Sequence, residues 1–214
     1  MRFQLPPLPY SMSALEPFIS KKTVKEHHDH HERGYVETLN GFSVVQKLPR
    51  NTTLEEVVLR SSGDRVNKGL TFLPPFPQAT RLYSCAAQSY NHSFYWHSMK
   101  KGGGGDPRGM IASLIRASFS SPGNFKRRFK ERAMESFGSG WLWVCLFKGE
   151  LVLVEGHDAE CAFVYQGYHP VLVIDLWEHA WYLDYKHDKS AYIDAFLDNL
   201  INWDFANQNL DVVR

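Results

Sequence analysis

The sequence predicts an α+β fold, in which helices and strands are segregated along the chain. The first hundred residues carry helical patterns, whereas the second half carries two helical patterns, three strand patterns and a last helix. Strands that alternate with helices would instead indicate a parallel βαβ sheet. A Gly-rich joint at 100–109 (KKGGGGDPRG) separates the halves. We therefore expect two domains, 1–100 and 106–214, the second with a small antiparallel sheet.

The first half contains three helical patterns and one long irregular stretch. Residues 12–40 predict a helix, with Ser13 as its N-cap and Glu16 as the capping-box partner. Residues 52–62 (TTLEEVVLRSS) predict a short helix with a threonine cap. Residues 63–80 contain glycine and three prolines, which break the periodicity and predict a long loop. Residues 85–99 (CAAQSYNHSFYWHSM) have the composition of a buried helix.

The second half begins with two helices and then changes to strands. GMIASLIRASFSS and NFKRRFKERAMESF predict the helices, and residues 140–156 (GWLWVCLFKGELVLVEG) predict a β-hairpin that turns at Lys148-Gly149. HPVLVID predicts a further strand, and KSAYIDAFLDNLINWDF predicts a single closing helix. The joint at 100–109 is expected to be flexible because it holds four consecutive glycines.

Composition excludes several classes of protein. An aromatic content of 14% favours an ordered globular chain, and a net charge of +1 gives no overall attraction to nucleic acid or to an anionic membrane. No apolar run approaches the roughly 18 residues of a membrane-spanning helix. MRFQLPPLPY lacks the apolar core of a signal peptide. Three widely spaced cysteines indicate free thiols in a reducing compartment, so we expect an intracellular protein, cytoplasmic or mitochondrial, that is not secreted.

Titratable residues gather at one point of the second half. In IDLWEHAWYLDY, Asp175, Glu178 and His179 directly follow the apolar run VLVI. Buried charges are costly unless they are paired or hold a metal. The alternative interpretation is a capping acid beside a helical ion pair.

Histidines of the first half can complete a metal site with this group. His27 shares a helix face with His31 and Tyr35, and His92 lies in the aromatic run YNHSFYW. Taken singly, these patterns also fit a solvated histidine cluster and a hydrogen-bonded core histidine. Taken together, His27, His92, Asp175 and His179 would form a site of three imidazoles and one carboxylate. Such a set suits iron, manganese or zinc and leaves a coordination position open.

Four blocks of the sequence resemble the iron/manganese superoxide dismutase family. They are LPPLPYSMSALEPFIS, NHSFYW, FGSGWLW and DLWEHAWYLDY, and they occur in the family's order from near the first residue to about Trp203. The resemblance implies an N-terminal domain made of a long-helix hairpin and a C-terminal α/β domain with a small antiparallel sheet. It also implies the disproportionation of superoxide to dioxygen and hydrogen peroxide.

The resemblance assigns roles to individual residues. It implies that His27, His92, Asp175 and His179 are the metal ligands. Tyr35 would stand at the mouth of the site with His31 behind it, and Gln88 would relay a proton. Glu178 and Tyr182 would reach into a partner subunit, Glu178 to His179 and Tyr182 to His31, in a homodimer or in a heterodimer with a related subunit. Four tryptophans would wall the pocket: Trp96, Trp141, Trp143 and Trp177.

The resemblance favours iron over manganese. Iron enzymes of the family commonly place a glutamine four residues before the second histidine ligand, and Gln88 occupies that position. Manganese enzymes supply this donor from the loop before the DxWEH signature, where this chain has Ala159, with His157 two residues away. This donor sets the proton affinity of the solvent bound to the metal and, through it, the redox potential. We therefore expect one iron per subunit, with manganese as the less favoured metal.

Three departures from the family pattern bear on function. His30 replaces a usual lysine and Lys189-Ser190 replaces a usual Arg-Pro, so we expect electrostatic attraction of the substrate to be weaker or pH-dependent here. Residues 63–82 have no counterpart, and they predict either a docking surface or a surface insertion without a partner. The main alternative function is therefore a dismutase-like structural subunit of a mitochondrial ribosome, held through the 63–82 loop. A metal-dependent hydrolase is disfavoured, because no free general base lies near the ligands.

Overall fold

The computed structural model describes residues 2–63 and 77–212, with the backbone alone described for 77–80. The first half is helical. Its helices, in chain order, are α1 (Lys21–Glu26), a π-helical turn (His27–Glu32), α2 (Arg33–Gly41), α3 (Ser43–Gln46), α4 (Leu54–Ser61) and α5 (Pro77–Ser98). Helix α5 packs against both α2 and α4, and this packing forms the predicted helical hairpin.

The first helical run begins later than predicted. Ser20, not Ser13, is the N-cap, and its hydroxyl accepts a hydrogen bond from the backbone N–H of Thr23. Residues 12–18 form turns instead. The reason is Pro17, since a proline disfavours helical geometry at the residue before it. The Glu16 carboxylate accepts from the N–H of Lys21 and so holds the turn against the start of α1.

The predicted helix over 85–99 falls within α5 except for its last residue, and the other two predictions for this half have different outcomes. Thr53 caps α4 in a complete capping box with Glu56, which confirms the second helix. Helix α5 already begins at Pro77, so the loop prediction for 63–80 is wrong over its last four residues. The rest of that loop, residues 64–76, and most of the 63–82 segment lie outside the described residues.

The segment 100–109 is held in place by the C-terminal part of the chain. The N–H of Gly104 donates to Ile201 O at 2.8 Å, and the N–H of Lys100 donates to Leu200 O at 2.9 Å. A Cβ on Gly104 would lie 2.0 Å from the backbone oxygen of Asp198. The glycines therefore serve close backbone approach, and the expectation of a flexible joint does not match these contacts.

The second half contains two helices, a three-stranded sheet and a helical C-terminus. Its elements, in chain order, are α6 (Met110–Phe119), α7 (Pro122–Glu135), β1 (Gly140–Phe147), β2 (Glu150–His157), a 3-10 turn (Ala162–Val164), β3 (His169–Asp175), a 3-10 turn (Glu178–Ala180), α8 (Tyr182–Tyr185), α9 (Lys189–Ala195), a π-helical turn (Phe196–Leu200) and α10 (Trp203–Asp211). The sheet is antiparallel in the order β2-β1-β3. This confirms the α+β class.

The hairpin turn matches its prediction, but the closing helix does not. Lys148 and Gly149 both have positive φ, as a tight two-residue hairpin turn requires. The predicted single C-terminal helix is broken at Ile201, which forms an isolated β-bridge with Met99 at the end of α5. Asn202 then starts α10 as its N-cap. A contact distant in sequence thus interrupts a continuous helical pattern.

Strand β3 is an outer strand of the sheet that the fold buries. It pairs with β1 and packs against α5 and α10, so its residues Val171–Asp175 are buried. The three cysteines, all within the described ranges, are buried free thiols, as expected. Within residues 2–63 and 77–212, no helix has the length and apolar character needed to cross a membrane.

Candidate metal centre

Four side chains from three parts of the fold meet at one buried point. His27 begins the first π-helical turn, His92 lies in α5, Asp175 ends β3 and His179 lies in the 3-10 turn that follows. Asp175 Oδ2 is 3.1 Å from His27 Nε2, 3.4 Å from His179 Nε2 and 3.8 Å from His92 Nε2. One potential ligand atom from each residue lies within 4.8 Å of all the others. The structure therefore brings the four predicted ligands together.

Hydrogen bonds fix the aim of two of these side chains. His92 Nδ1 lies 2.7 Å from Gln88 O, and because a carbonyl only accepts, Nδ1 must carry the proton. Nε2 is then left with a lone pair that faces the cluster. Asp175 Oδ1 accepts from the backbone N–H of Trp177 at 2.8 Å, which leaves Oδ2 free to face the three imidazoles.

A chain of buried hydroxyls holds the backbone of Asp175. The Tyr192 hydroxyl donates to Asp175 O at 2.9 Å, and the Tyr95 and Tyr192 hydroxyls are 2.9 Å apart. The proton of Tyr192 is committed to a carbonyl, so Tyr95 must donate to Tyr192. Both tyrosines are fully buried. The end of β3 is thus tied to α5 and α9.

The donor set fits a metal cation. Among the described residues, His27 Nε2, His92 Nε2, His179 Nε2 and Asp175 Oδ2 are buried and have no hydrogen-bond partner. Four converging buried polar atoms without partners are costly in a folded protein. A cation at their centre would satisfy all four, and imidazole with carboxylate suits iron, manganese or zinc.

The electrostatics of the site favour the protonation states that a metal needs. Burial lowers the pKa of His27 to about 4, against the opposing effect of Asp175. Burial and the neighbouring His27 hold the pKa of His92 well below its ordinary value. Burial acts to raise the pKa of Asp175, but His179 and His27 outweigh it and the net shift is downward. The two imidazoles are therefore neutral and the carboxylate ionised at neutral pH.

Gln88 lies at the cluster with its amide oriented. Its Oε1 accepts from Trp141 Nε1 at 3.1 Å, so Nε2 is turned the other way. Nε2 is buried and has no hydrogen-bond partner within the described part of the chain. By contrast, Ala159 has no side-chain donor and the His157 side chain is 63% exposed. Of the three candidate positions, only Gln88 places an amide donor inside the site.

Tyr35 and His31 lie where the cluster approaches the surface. Tyr35 is half-buried with its ring 5.5 Å from that of His92, and the exposed His31 stacks on His179 at 4.1 Å. Burial raises the pKa of Tyr35, and the neighbouring Gln88 opposes that rise. The Tyr35 phenol therefore keeps its proton at neutral pH. Burial lowers the pKa of His31.

Three of the four predicted wall tryptophans contact ligand rings. Ring centroids are 4.7 Å apart for Trp96 and His27, 5.1 Å for Trp141 and His92, and 5.6 Å for Trp177 and His179. Trp141 is opposite Asp175 in the sheet register, which places it beside the cluster. Trp143 is equally buried, but its ring packs on Phe94 at 5.5 Å. Glu178 and Tyr182 are both exposed on the outer side of the ligand turn.

Sequence reasoning missed two polar features of the site. Glu32 is fully buried, and its Oε2 accepts from Trp96 Nε1 at 2.8 Å. His28 is also buried, with Nε2 2.8 Å from Pro6 O. The spacing of His28 and Glu32, four residues apart in EHHDHHERGY, was the available signal for a shared helix face.

Comparison with known proteins agrees with this geometry. Two family models match, "Iron/manganese superoxide dismutases, alpha-hairpin domain" over residues 2–100 and the "C-terminal domain" of the same family over residues 107–209. A protein of Synechocystis sp. named "Superoxide dismutase [Fe]" is 41% identical over 210 residues, covering 98% of each chain. Proteins of that name from Synechococcus elongatus (40% over 209 residues, 98% of this chain and 97% of the relative) and Babesia bovis (39% over 213 residues, 99% and 97%) are similar to it as well. The chain therefore belongs to the iron/manganese superoxide dismutase family.

Proposed function

We propose that this chain is an iron superoxide dismutase, which converts two superoxide ions and two protons into dioxygen and hydrogen peroxide. The observation that carries the proposal is the convergence of four buried ligand atoms that lack hydrogen-bond partners among the described residues. The relatives described above, which share the family and bear that name, support the same activity.

The ligand set suits a small anionic substrate. His27, His92, His179 and Asp175 would hold the iron, which when bound supplies a one-electron couple that takes an electron from one superoxide and returns it to a second. Three neutral imidazoles and one carboxylate cancel only one unit of a cation's charge. The site therefore keeps a positive potential that favours an anion.

Tyr35 and Gln88 are proposed to manage the protons. The Tyr35 phenol retains its proton and stands half-buried at the mouth, beside Gln88. The Gln88 amide has a free N–H aimed away from Trp141. His31, stacked on His179 and exposed, is placed to pass protons between solvent and Tyr35.

Iron is proposed over manganese because of Gln88. Its amide already lies in the site, where it can orient solvent and tune the potential of the metal. Neither Ala159 nor the exposed His157 offers an equivalent donor from the other side.

A dimer is proposed through the ligand turn. Glu178 and Tyr182 are exposed although each is within three residues of His179, and Leu183 beside them is 40% exposed. In a homodimer, Glu178 would bridge to His179 of the second copy and Tyr182 to its His31. Sedimentation of the wild type and of Glu178→Ala tests this, and an unchanged association constant for the variant would contradict it.

A cytoplasmic or mitochondrial location is proposed on the three buried free thiols, which a reducing compartment preserves. The ribosomal alternative has weaker grounds. In the basic segment KRRFKER, Lys126 and Lys130 are paired with Asp198 and Asp194 at 2.6 Å, so much of its charge is compensated. The relatives compared above carry the name of an enzyme and none of a ribosomal subunit.

Metal content and superoxide consumption of the purified chain test the proposal. We expect about one iron per chain together with activity, and loss of both in Asp175→Ala. Asp211→Ala is the matched control, since Asp211 is an exposed carboxylate at the end of α10. An iron-free, inactive wild type that cannot be loaded with iron would contradict the proposal.

A further inference from the structure

We propose that Glu32 is a positioning residue, whose carboxylate holds the Trp96 indole against the ring of His27. The inference rests on the proposed metal site, because it concerns how one ligand of that site is aimed. It gives Glu32, the last residue of the run HHDHHE, a role apart from that of the four ligands.

Burial of Glu32 is the first observation. Its side chain is 0% exposed, and a buried carboxylate is costly unless strong hydrogen bonds compensate for lost water. Its one direct hydrogen bond among the described residues comes from Trp96 Nε1, at 2.8 Å. The carboxyl group of Glu32 thus fixes the position of the Trp96 indole, which is itself only 2% exposed.

The orientation of His27 is the second observation. His92 is aimed by a hydrogen bond from Nδ1 to Gln88 O, but within the described part of the chain no hydrogen bond engages Nδ1 of His27. The His27 ring is instead enclosed by other rings, namely His179 at 4.6 Å, Trp96 at 4.7 Å and 65°, His92 at 4.8 Å and Tyr95 at 5.6 Å. Two of these neighbours are themselves candidate metal ligands, so the indole of Trp96, which Glu32 holds by a hydrogen bond, is a restraint on the aim of His27 that does not come from the ligand set.

The surroundings of Glu32 are the third observation. His28 Nε2 lies 3.9 Å from Glu32 Oε2 and is anchored on Pro6 O. Glu32 Oε1 and the Tyr10 hydroxyl are buried and lack hydrogen-bond partners among the described residues. The contact with Trp96 is therefore the main restraint on this carboxyl group. Glutamine can make the same contact through its amide oxygen, whereas leucine cannot.

The experiment compares Glu32→Gln with Glu32→Leu in the full-length protein, with Glu37→Gln and Glu37→Leu as controls. Glu37 is an exposed glutamate on α2. The first measurement is hydrogen exchange of the Trp96 indole N–H in metal-free protein labelled at the indole nitrogens, assigned with Trp96→Phe. The second is the rate of iron loss to an excess of chelator.

Glu32→Leu is expected to lose protection of the Trp96 N–H and to release iron at least about tenfold faster, a typical effect of removing a group that orients a ligand. Glu32→Gln is expected to release iron within about threefold of the wild type, and the Glu37 variants at the wild-type rate. The double variant Glu32→Leu/Trp96→Phe should release iron no faster than Glu32→Leu alone, since both changes break one contact.

Two results would overturn the inference. One is iron release at the wild-type rate from Glu32→Leu with an unprotected Trp96 N–H. The other is additive effects of the two substitutions in the double variant. If Glu32→Leu does not fold, Trp96→Phe decides alone, and a wild-type release rate for it counts against the proposal. Iron bound by the wild type separates these outcomes from failure of the proposed function.

Discussion

The buried hydroxyl chain behind Asp175 predicts an asymmetry between two tyrosines. Tyr192 donates to Asp175 O and accepts from Tyr95, so Tyr192→Phe removes two hydrogen bonds at once. It leaves the Tyr95 O–H and the Asp175 carbonyl without these partners, in a fully buried environment. Tyr95→Phe removes one hydrogen bond and leaves no buried donor unpaired, because the Tyr192 hydroxyl still donates to the Asp175 carbonyl.

The magnitudes follow from the groups left unpaired. Each stranded buried donor or acceptor costs about 1–3 kcal/mol, so Tyr192→Phe, which strands two such groups, should destabilise the protein by about 2–6 kcal/mol. Tyr95→Phe should cost about 1 kcal/mol, the net contribution of an ordinary hydrogen bond. The double variant should cost less than the sum by about 1 kcal/mol, because removing Tyr95 O–H removes one stranded donor.

Urea unfolding of metal-free protein measures these differences. The wild type, the two single variants and the double variant are compared at one pH, with circular dichroism and tryptophan fluorescence as independent probes of a two-state transition. Tyr185→Phe is the control for loss of a tyrosine hydroxyl outside this hydrogen-bonded pair, since the Tyr185 hydroxyl donates to Phe18 O at 2.7 Å while its ring packs 5.8 Å from that of Tyr192. Equal costs for Tyr95→Phe and Tyr192→Phe, or additive costs in the double variant, would refute the reasoning.

Three further predictions test other contacts. Gly104→Ala should destabilise the protein by more than about 3 kcal/mol in urea unfolding, because the new Cβ would meet backbone atoms. Gly102 has a similar positive φ but faces open space, so Gly102→Ala should cost about 1–2 kcal/mol. Equal costs would contradict this. Burial raises the pKa of Glu32 from 4.5 to about 7 in metal-free protein, so the folded state of the wild type loses stability as pH rises from 4.5 to 7. Over that range the free energy of unfolding of Glu32→Gln should rise relative to that of the wild type by up to about 3 kcal/mol. A difference that does not change with pH would be contrary evidence. Gln88→Glu keeps the acceptor for Trp141 but removes the amide donor, so superoxide consumption per bound iron should fall about 10–100-fold, and a loss below twofold would argue against its role.

Local signals were sufficient for much of the fold and for the ligand set. Thr53 caps α4 as the sequence predicts, and Lys148-Gly149 makes the predicted turn. Asp175 and His179 could be placed at the cluster because a charged group directly after a buried strand needs a partner. These features depend on neighbours in the sequence, which is why they could be predicted.

Features set by distant contacts could not be predicted in this way. The helix break at Ile201 depends on pairing with Met99, a contact between two chain segments about a hundred residues apart. The burial of Glu32 depends on Trp96, which reaches it from another helix. The 100–109 segment is ordered by Leu200 and Ile201, although its glycines alone indicate flexibility.

The central claim is that His27, His92, Asp175 and His179 coordinate one iron ion. Diffraction from crystals of iron-loaded protein, recorded at the iron absorption edge, tests it most directly. We expect one anomalous peak per chain, about 2 Å from Nε2 of each histidine and from Oδ2 of Asp175. A peak elsewhere, or any one of the four side chains turned away from it, would contradict the account.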